Sequence, residues 1–317
     1  MNEFFHISIL LAPCLDALRI RPDGVYIDAT LGGAGHSRQI ADRLTAGGTL
    51  LCIDRDDEAL QNAETKLAPV RERVRLCKSD FRRLDEVLAR EGFSGADGIL
   101  FDLGVSSPQL DEGYRGFSYM QDAPLDMRMD RQQSLTAYDV VNGWSRDELR
   151  RILFEYGEER YAPLIAAAIE RERDKKPIET TLELVSIIRS AMPAKALREK
   201  QHPAKRSFQA IRIAVNDELG AVAEAMDKAI DVLKPEGRLA VITFHSLEDR
   251  IVKTAFQKAA QGCTCPKDFP VCVCGKKPKV KIITRKPIVP DSREVAENAR
   301  ARSAKLRVCE KLGADGR

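Results

Sequence analysis

Three glycines follow a short strand-forming stretch near the amino terminus. Residues 25–27 are apolar and β-prone, Asp28 comes next, and Gly32, Gly33 and Gly35 follow. Glycine lets the backbone turn tightly and approach a ligand, because no Cβ atom stands in the way. Open α/β sheets bind nucleotide-like ligands at such a strand–turn–helix corner. An ordinary corner has the same local pattern, so the turn alone leaves both interpretations open.

Acidic and aromatic residues follow the glycines at spacings that suit a nucleoside. Asp54 ends a second apolar stretch about twenty residues beyond the turn, where a carboxylate can accept both hydroxyls of a ribose. The alternative is that Asp54 caps the helix expected at 57–67. Asp80 and Phe81 follow a third stretch and could flank an adenine ring, Phe81 by stacking and Asp80 by polar contact. Together these residues favour a nucleoside-containing ligand.

The glycine spacing and Asp28 discriminate between two kinds of ligand. A dinucleotide site wants Gly-x-Gly-x-x-Gly, so that a helix amino terminus can hold a pyrophosphate, and the third glycine is missing here. An acidic residue such as Asp28 is awkward beside a pyrophosphate but suits a cationic amino-acid moiety. S-adenosylmethionine carries an ammonium, a sulfonium, a ribose and an adenine. The residues therefore favour a methyltransferase over a nicotinamide enzyme.

The elements that position these residues alternate between strands and helices. Strands are predicted where apolar runs occur, and helices between them, which indicates an α/β fold with a doubly wound, mostly parallel sheet. A further strand is expected at 279–284, and the tail at 291–312 is predicted to be polar with helical stretches. The main predicted strands lie at 25–27, 49–53, 74–77, 96–101 and 238–244.

Alternation stops in the middle of the chain, where apolar residues recur at helical spacing. We expect an inserted helical, substrate-recognising domain at 112–205. It would divide a catalytic domain into a first part at 1–111 and a second part at 206–317, which ends in a basic tail. Thr180 or Thr181 is expected to cap a helix within the insertion.

Composition is that of a globular enzyme. The 317 residues are 31% charged and 44% hydrophobic, with a net charge of +3. No apolar run is long enough to cross a membrane, and the amino terminus has no basic segment before its apolar residues, so a cytoplasmic protein is expected. Basic runs at 198–206 and 276–281 could contact phosphates, although each alone fits a solvated loop.

Four of the eight cysteines cluster late in the chain, and the other four lie in apolar or helical surroundings. The cluster could hold a tetrahedral zinc ion, but its Cys-x-Cys spacing departs from the usual Cys-x-x-Cys. Reduced thiols in a loop are the expected state, and no metal is assigned, with zinc kept as the alternative. The clustered residues are Cys263, Cys265, Cys272 and Cys274.

Six longer motifs resemble those of the MraW family, bacterial methyltransferases that act on N4 of a decoding-centre cytidine in 16S ribosomal RNA of the small subunit. The resemblance extends from His6 to Lys305 and implies a class I S-adenosylmethionine-dependent methyltransferase fold with an inserted helical domain. The motifs are FDLGVSSPQLD at 101–111, RGFS at 115–118, PLDMRMD at 124–130, YGEER at 156–160, FQAIRIAVN at 208–216 and TFHSLEDR at 243–250.

The resemblance also implies which residues bind the cofactor. It adds Asp102 and Gln109 to the positions already selected in the turn and after the second and third strands. The implied S-adenosylmethionine contacts are Ala34, Gly35, His36, Asp54, Phe81, Asp102 and Gln109.

Catalytic residues are expected after the fourth and fifth strands. The amine needs hydrogen-bond acceptors that turn its lone pair toward the methyl group, and we expect these from Asp102 and from Ser106 or Ser107. His245 is a second candidate, as a proton acceptor or a phosphate contact, with a strand-end histidine of no catalytic role as the alternative. A DNA-directed amino methyltransferase and a non-catalytic RNA-binding assembly factor remain open, as does a homodimer.

Overall fold

A computed structural model of the chain describes residues 8–263, 265 and 274–313, without the side chains of Ser107 and Pro108. The chain divides into two compact units. The first comprises Met1–Gly104 and Leu219–Arg317, and the second comprises Val105–Glu218.

The first unit is built on a seven-stranded sheet with the order β3-β2-β1-β4-β5-β7-β6. The five strands β3, β2, β1, β4 and β5 run parallel to one another. Strand β7 pairs antiparallel with β5 on one side and with β6 on the other. The predicted doubly wound, mostly parallel sheet is thereby confirmed. The strands are β1 Val25–Asp28, β2 Thr49–Asp54, β3 Val74–Lys78, β4 Ala96–Asp102, β5 Leu233–Thr243, β6 Val280–Ile282 and β7 Lys305–Lys311.

Helices connect these strands and pack against both faces of the sheet. Two hydrophobic clusters form between the sheet and these helices. Every residue of β1 is buried, and six of the seven residues of β4 are buried, as expected for central parallel strands covered on both sides. Because these strands are buried, their ends hold the residues that follow them in defined positions. The helices of this unit are α1 Leu11–Leu18, α2 Gly35–Ala41, α3 Asp57–Lys66, α4 Leu84–Arg90, α12 Glu218–Val232, α13 Ser246–Ala260 and α14 Ser292–Glu297.

The tail at 291–312 contains the predicted helical stretches and, in addition, strand β7, which the sequence analysis did not predict. Its sequence, KLRVCEK, carries four charged residues and gives a weak strand signal. In the structure, Arg307 is nearly buried because its Nε and Nη2 donate to the two oxygens of Asp249, at 2.6 and 3.1 Å. A strand with buried charge is stable only where partners from elsewhere satisfy it.

The second unit consists of helices packed around one apolar cluster. Three of its helices begin with reciprocal capping boxes, which involve Thr136 with Asp139, Ser145 with Glu148, and Thr180 with Glu183. Of the two residues expected to cap a helix here, Thr180 and Thr181, the structure shows that Thr180 caps α9. The helices are α5 Ser107–Asp111, α6 Ala137–Gly143, α7 Arg146–Glu155, α8 Ala162–Arg173, α9 Thr181–Ala191, α10 Ala194–Leu197 and α11 Lys205–Asn216.

The limits of this helical unit differ from the predicted insertion at 112–205. Helix α11 was assigned to the second part of the catalytic domain, but Phe208, Ile211 and Val215 pack in the cluster of the helical unit. The apolar stripe of α11 was visible in the sequence, whereas the core that receives it was not. Short 3₁₀ segments at 68–73, 81–83, 113–115 and 299–303 complete the described elements.

Within the described ranges, no helix is long and apolar enough to cross a lipid bilayer.

Candidate cofactor-binding site

The glycine turn lies between β1 and α2, as the sequence predicts. Gly32 and Ala34 have φ angles of 45° and 63°, in the left-handed region, and the Ala34 N–H donates to Leu31 O at 2.8 Å. A Cβ atom built on Gly33 would have no heavy atom within 4 Å, so this side of the turn is open. A Cβ atom on Gly35 would lie 2.0 Å from the Ser8 hydroxyl oxygen. The turn is thus packed on one side and open to a ligand at Gly33.

Asp54 holds the turn to the end of β2. One carboxylate oxygen accepts the Gly32 N–H at 2.9 Å, and the other accepts the Asp56 N–H at 2.9 Å. Burial raises the pKa of Asp54, while these two backbone hydrogen bonds act in the opposite direction. Asp54, the residue predicted to bind ribose, is therefore adjacent to the turn, and its hydrogen bonds also support the turn.

Phe81 and Asp80 follow β3, next to Asp54. The Ser79 N–H donates to Asp54 O at 3.0 Å, which ties this segment to the end of β2. The half-buried Phe81 ring packs edge-on against Phe101 with a centroid distance of 5.6 Å. One Asp80 oxygen accepts the Arg82 N–H at 2.9 Å, so this carboxylate caps a 3₁₀ turn. The predicted adenine contacts of Phe81 and Asp80 stay predictions.

Asp28 is turned into the protein. It is 1% exposed, and its oxygens accept hydrogen bonds from the Ser37 hydroxyl at 2.6 Å and the Thr30 N–H at 3.2 Å. Burial raises the pKa of Asp28 to about 6. The structure gives Asp28 a role in holding β1 to α2, and its suitability for a cationic ligand stays a prediction.

Asp102 and His36 meet beside the turn. Asp102 ends β4, its N–H donates to the Thr30 hydroxyl at 2.6 Å, and its Oδ2 lies 3.6 Å from His36 Nδ1. The other carboxylate oxygen, Oδ1, is buried and has no hydrogen-bond partner among the described residues. This orphaned acceptor at the carboxyl end of a central strand points to a ligand.

The electrostatics of this pair are unusual. Burial, followed by the nearby carboxylates of Asp28 and Glu248, raises the pKa of Asp102 from 3.8 to about 8. Burial lowers the pKa of His36 from 6.5 to about 4, and its Nε2 lies 3.2 Å from Ile9 O, an acceptor that requires the proton on Nε2. Both side chains are therefore predominantly uncharged at neutral pH. A cation brought to this position would favour the ionised form of Asp102.

His245 begins α13 as its capping residue. Its Nδ1 faces the Glu248 N–H at 3.4 Å, while Glu248 Oε2 accepts the N–H groups of Phe244 and His245 at 2.8 and 3.2 Å. His245 Nε2 lies 3.1 Å from Glu248 Oε1 without the alignment of a hydrogen bond. The capping role accounts for Nδ1, which leaves Nε2 as the only nitrogen for other chemistry.

The remaining predicted residues belong to the helical unit. The Ser106 hydroxyl accepts the Gln109 N–H at 3.4 Å, and the Gln109 side-chain oxygen accepts the Ser106 N–H at 3.1 Å. This reciprocal pair caps α5, which contains Ser107. The binding and catalytic roles of Ser106, Ser107 and Gln109 stay predictions.

Sequence reasoning missed three contributors to this site: Thr30, Ser37 and Glu248. Each orients a predicted residue, through hydrogen bonds to Asp102 or Asp28 or through the cap on His245. The three-residue spacing from His245 to Glu248 is that of a capping box and could have been detected. The contacts of Thr30 and Ser37 depend on how neighbouring strands pair.

The sheet order, the open glycine turn and the acidic residues that end β2 and β4 together define a class I S-adenosylmethionine-dependent methyltransferase. Comparison with known sequences specifies it further. The profile of the MraW methylase family matches residues 3–312, and the chain belongs to this family.

Close relatives match over nearly the whole chain. A protein of Brevibacillus brevis is 58% identical over 98% of this chain and 99% of its own length. A protein of Paenibacillus is 56% identical over 98% of this chain and 100% of its own length. A third, from Carboxydothermus hydrogenoformans, is 55% identical over 98% and 99%, respectively. All three are named ribosomal RNA small subunit methyltransferase H.

Proposed function

We propose that the protein methylates the exocyclic N4 of cytidine 1402, in the decoding centre of 16S ribosomal RNA of the small subunit. The observation that carries the proposal is the 58% identity to a ribosomal RNA small subunit methyltransferase H, aligned over 98% of this chain and 99% of that protein. The proposed substrate also implies the cytoplasm as the site of action.

The residues of the first unit fit the expected cofactor. The open side of the turn at Gly33 supports binding of a ligand there, and Asp54, beside the turn, is proposed to accept the ribose hydroxyls. The orphaned Asp102 oxygen can face a positive charge. When bound, S-adenosylmethionine supplies an electrophilic methyl group on a positively charged sulfur.

Asp102 is our principal catalytic candidate. The N4 amine is a weak nucleophile because its lone pair is delocalised into the cytosine ring, so an acceptor for an amine proton promotes attack. Ionised Asp102 can accept such a hydrogen bond through Oδ1, which has no other partner among the described residues. As the nitrogen–carbon bond forms and the sulfur–carbon bond breaks, one amine proton leaves the nitrogen toward this carboxylate or solvent.

Ser106, Ser107 and His245 are proposed to orient the target base. The Ser106 hydroxyl accepts a hydrogen bond from Gln109 and, as a hydroxyl, can also donate its own proton. His245 would act through Nε2, since Nδ1 faces the helix backbone. The division of roles predicts that Asp102→Asn lowers the rate of transfer far more than His245→Gln does.

RNA contacts are proposed for the two basic runs. Arg198, Lys200 and Lys205 are exposed in the helical unit, and Lys276 and Lys277 are exposed before β6. Lysine and arginine bind phosphates largely without regard to base sequence, so these residues would hold the RNA rather than select the cytidine. The target base must also leave its stack to reach a pocket.

The test is transfer of a labelled methyl group from S-adenosylmethionine to small ribosomal subunits that lack their modifications, followed by nuclease digestion and identification of the nucleoside. We expect N4-methylated cytidine, with little transfer by Asp102→Asn. Labelled cytidine in DNA but not in subunits would favour a DNA methyltransferase. Cofactor binding without transfer to subunits, naked RNA or DNA would contradict the proposed activity and favour a non-catalytic assembly factor.

A further inference from the structure

The loop between α13 and β6 brings three cysteines together at the surface. The Sγ atoms of Cys263, Cys265 and Cys274 all lie within 4.8 Å of one another, and those of Cys263 and Cys274 are 3.7 Å apart. None of the three forms a disulfide. The fourth cysteine of the sequence cluster, Cys272, lies outside the described residues.

The Cys263–Cys274 sulfur spacing matches that of two ligands in a tetrahedral thiolate centre, and Cys265 Sγ lies within 4.8 Å of both. With zinc–sulfur bonds of about 2.3 Å, two ligands of a tetrahedron stand about 3.8 Å apart. The distance of 3.7 Å between Cys263 and Cys274 agrees with this value and is far beyond a disulfide bond of about 2.05 Å. From these distances we propose that Cys263, Cys265 and Cys274 bind a structural zinc ion.

Hydrogen bonding and charge around the cluster favour thiolates. The Cys265 N–H points to Cys263 Sγ at 3.4 Å, a contact that stabilises negative charge on sulfur. Lys276 and Lys277 follow Cys274 directly and are exposed. Three thiolates and one Zn²⁺ carry a net charge of −1, which these ammonium groups can offset.

The position in the fold explains why a metal would be useful. The loop is closed at its base, where the Lys279 N–H donates to Ala259 O at 2.8 Å. Every described residue from Gln261 to Lys279 is exposed or half-buried, so these residues form no apolar core. A bound metal ion would stabilise the conformation of these residues in place of a hydrophobic core. It would support the approach to β6, the edge strand of the sheet.

The other described cysteines provide a contrast. Cys14, Cys52, Cys77 and Cys309 are buried in the first unit, and burial raises the pKa of each thiol. These residues fit the expected role of core thiols. Only the surface trio among the described cysteines combines accessibility with mutual proximity.

The experiment measures metal content in the full-length protein, purified without chelators, by inductively coupled plasma mass spectrometry. We expect about one zinc per chain. Protein with less than about a tenth of an equivalent, even after incubation with zinc and removal of the excess, would overturn the proposal.

Variants locate the ion. Cys263→Ser and Cys274→Ser should each lose most of the zinc, whereas Cys77→Ser, a matched loss of a thiol within the sheet, should retain it. Circular dichroism verifies the fold of each variant. If a variant does not fold, titration of metal-free wild-type protein with Co²⁺ replaces it: thiolate-to-cobalt charge-transfer absorption supports the site, and its absence contradicts it. Full zinc retention by folded Cys263→Ser would also refute the assignment.

Discussion

Asp102 Oδ2 lies 3.6 Å from His36 Nδ1, and the two groups face each other largely uncharged at neutral pH. An Asp–His pair at this distance is usually interpreted as an ion pair. Here burial raises the pKa of the carboxyl group to about 8 and lowers that of the imidazole to about 4. The pair is therefore poised to respond to a cation that binds beside it.

The first prediction concerns stability and pH in the absence of cofactor. Asp102 retains its proton in the folded state up to about pH 8, whereas the unfolded chain releases it near pH 4, so the free energy of unfolding should fall as pH rises between these values. Asp28 also lowers the free energy of unfolding as pH rises, but only up to about pH 6. His36 has the opposite effect and raises the free energy of unfolding as pH rises from about 4 to 6.5.

Asp102 therefore dominates among these three groups above pH 6.5. We expect wild-type protein to lose about 1 kcal/mol from about pH 6.5 to 8 relative to Asp102→Asn, after allowance for partial exposure of the carboxyl group. Urea unfolding at both pH values measures the difference. Parallel curves for the two proteins would show that Asp102 ionises normally.

The second prediction concerns protons released on cofactor binding. A sulfonium near Asp102 favours its carboxylate, so binding of S-adenosylmethionine near pH 7 should release protons, and affinity should rise with pH by at most about tenfold per unit. Calorimetry in buffers of different ionisation enthalpy counts the protons. S-adenosylhomocysteine, which lacks the positive sulfur, is the matched ligand control. Equal proton release with both ligands would separate Asp102 from the sulfonium.

The third prediction concerns Asp54. Asp54→Ala removes acceptors for the Gly32 and Asp56 N–H groups and for a ribose, so affinity for S-adenosylmethionine should fall by about tenfold or more. Asp57→Asn is the matched control, because Asp57 is exposed and pairs with Lys78 at 2.6 Å. Calorimetry on folded protein makes the comparison. Unchanged affinity in Asp54→Ala would remove Asp54 from the site.

The fourth prediction concerns the open side of the turn. A Cβ atom on Gly33 meets no protein atom within 4 Å, so Gly33→Ala should leave thermal unfolding nearly unchanged while its methyl group reduces cofactor affinity. Gly143→Ala is the control, since a Cβ atom there also meets nothing within 4 Å, but in the helical unit. Equal affinity for both variants would mean that the cofactor does not approach Gly33.

Local sequence patterns were sufficient for the central strands and the turn. Strands β1 to β4 are apolar runs, because central parallel strands are buried on both faces, and their order along the chain follows from the alternation with helices. The glycines marked a turn that needs positive φ angles at Gly32 and Ala34. These features depend on neighbours in sequence and can be predicted from them.

The sequence analysis predicted neither strand β7 nor the packing of helix α11 in the helical unit, and both omissions have a common reason. Arg307 lies in a strand because Asp249, far away in sequence, neutralises it, and Phe208 packs in the helical unit because that core lies beneath it. Both outcomes depend on partners that local periodicity does not reveal. The zinc proposal has the same origin, since Cys-x-Cys spacing was ambiguous until the Sγ distances were known.

The sequence by itself determined the α/β class, the glycine turn, the acidic residues at strand ends and the family. Only the tertiary structure decided which carboxylates are engaged and which are available. It turned Asp28 toward Ser37, tied Asp54 to the backbone of the turn, and left Asp102 Oδ1 buried without a partner among the described residues. Residue type establishes what a side chain can do, but its charge and role depend on burial and on groups brought close by the pairing of strands.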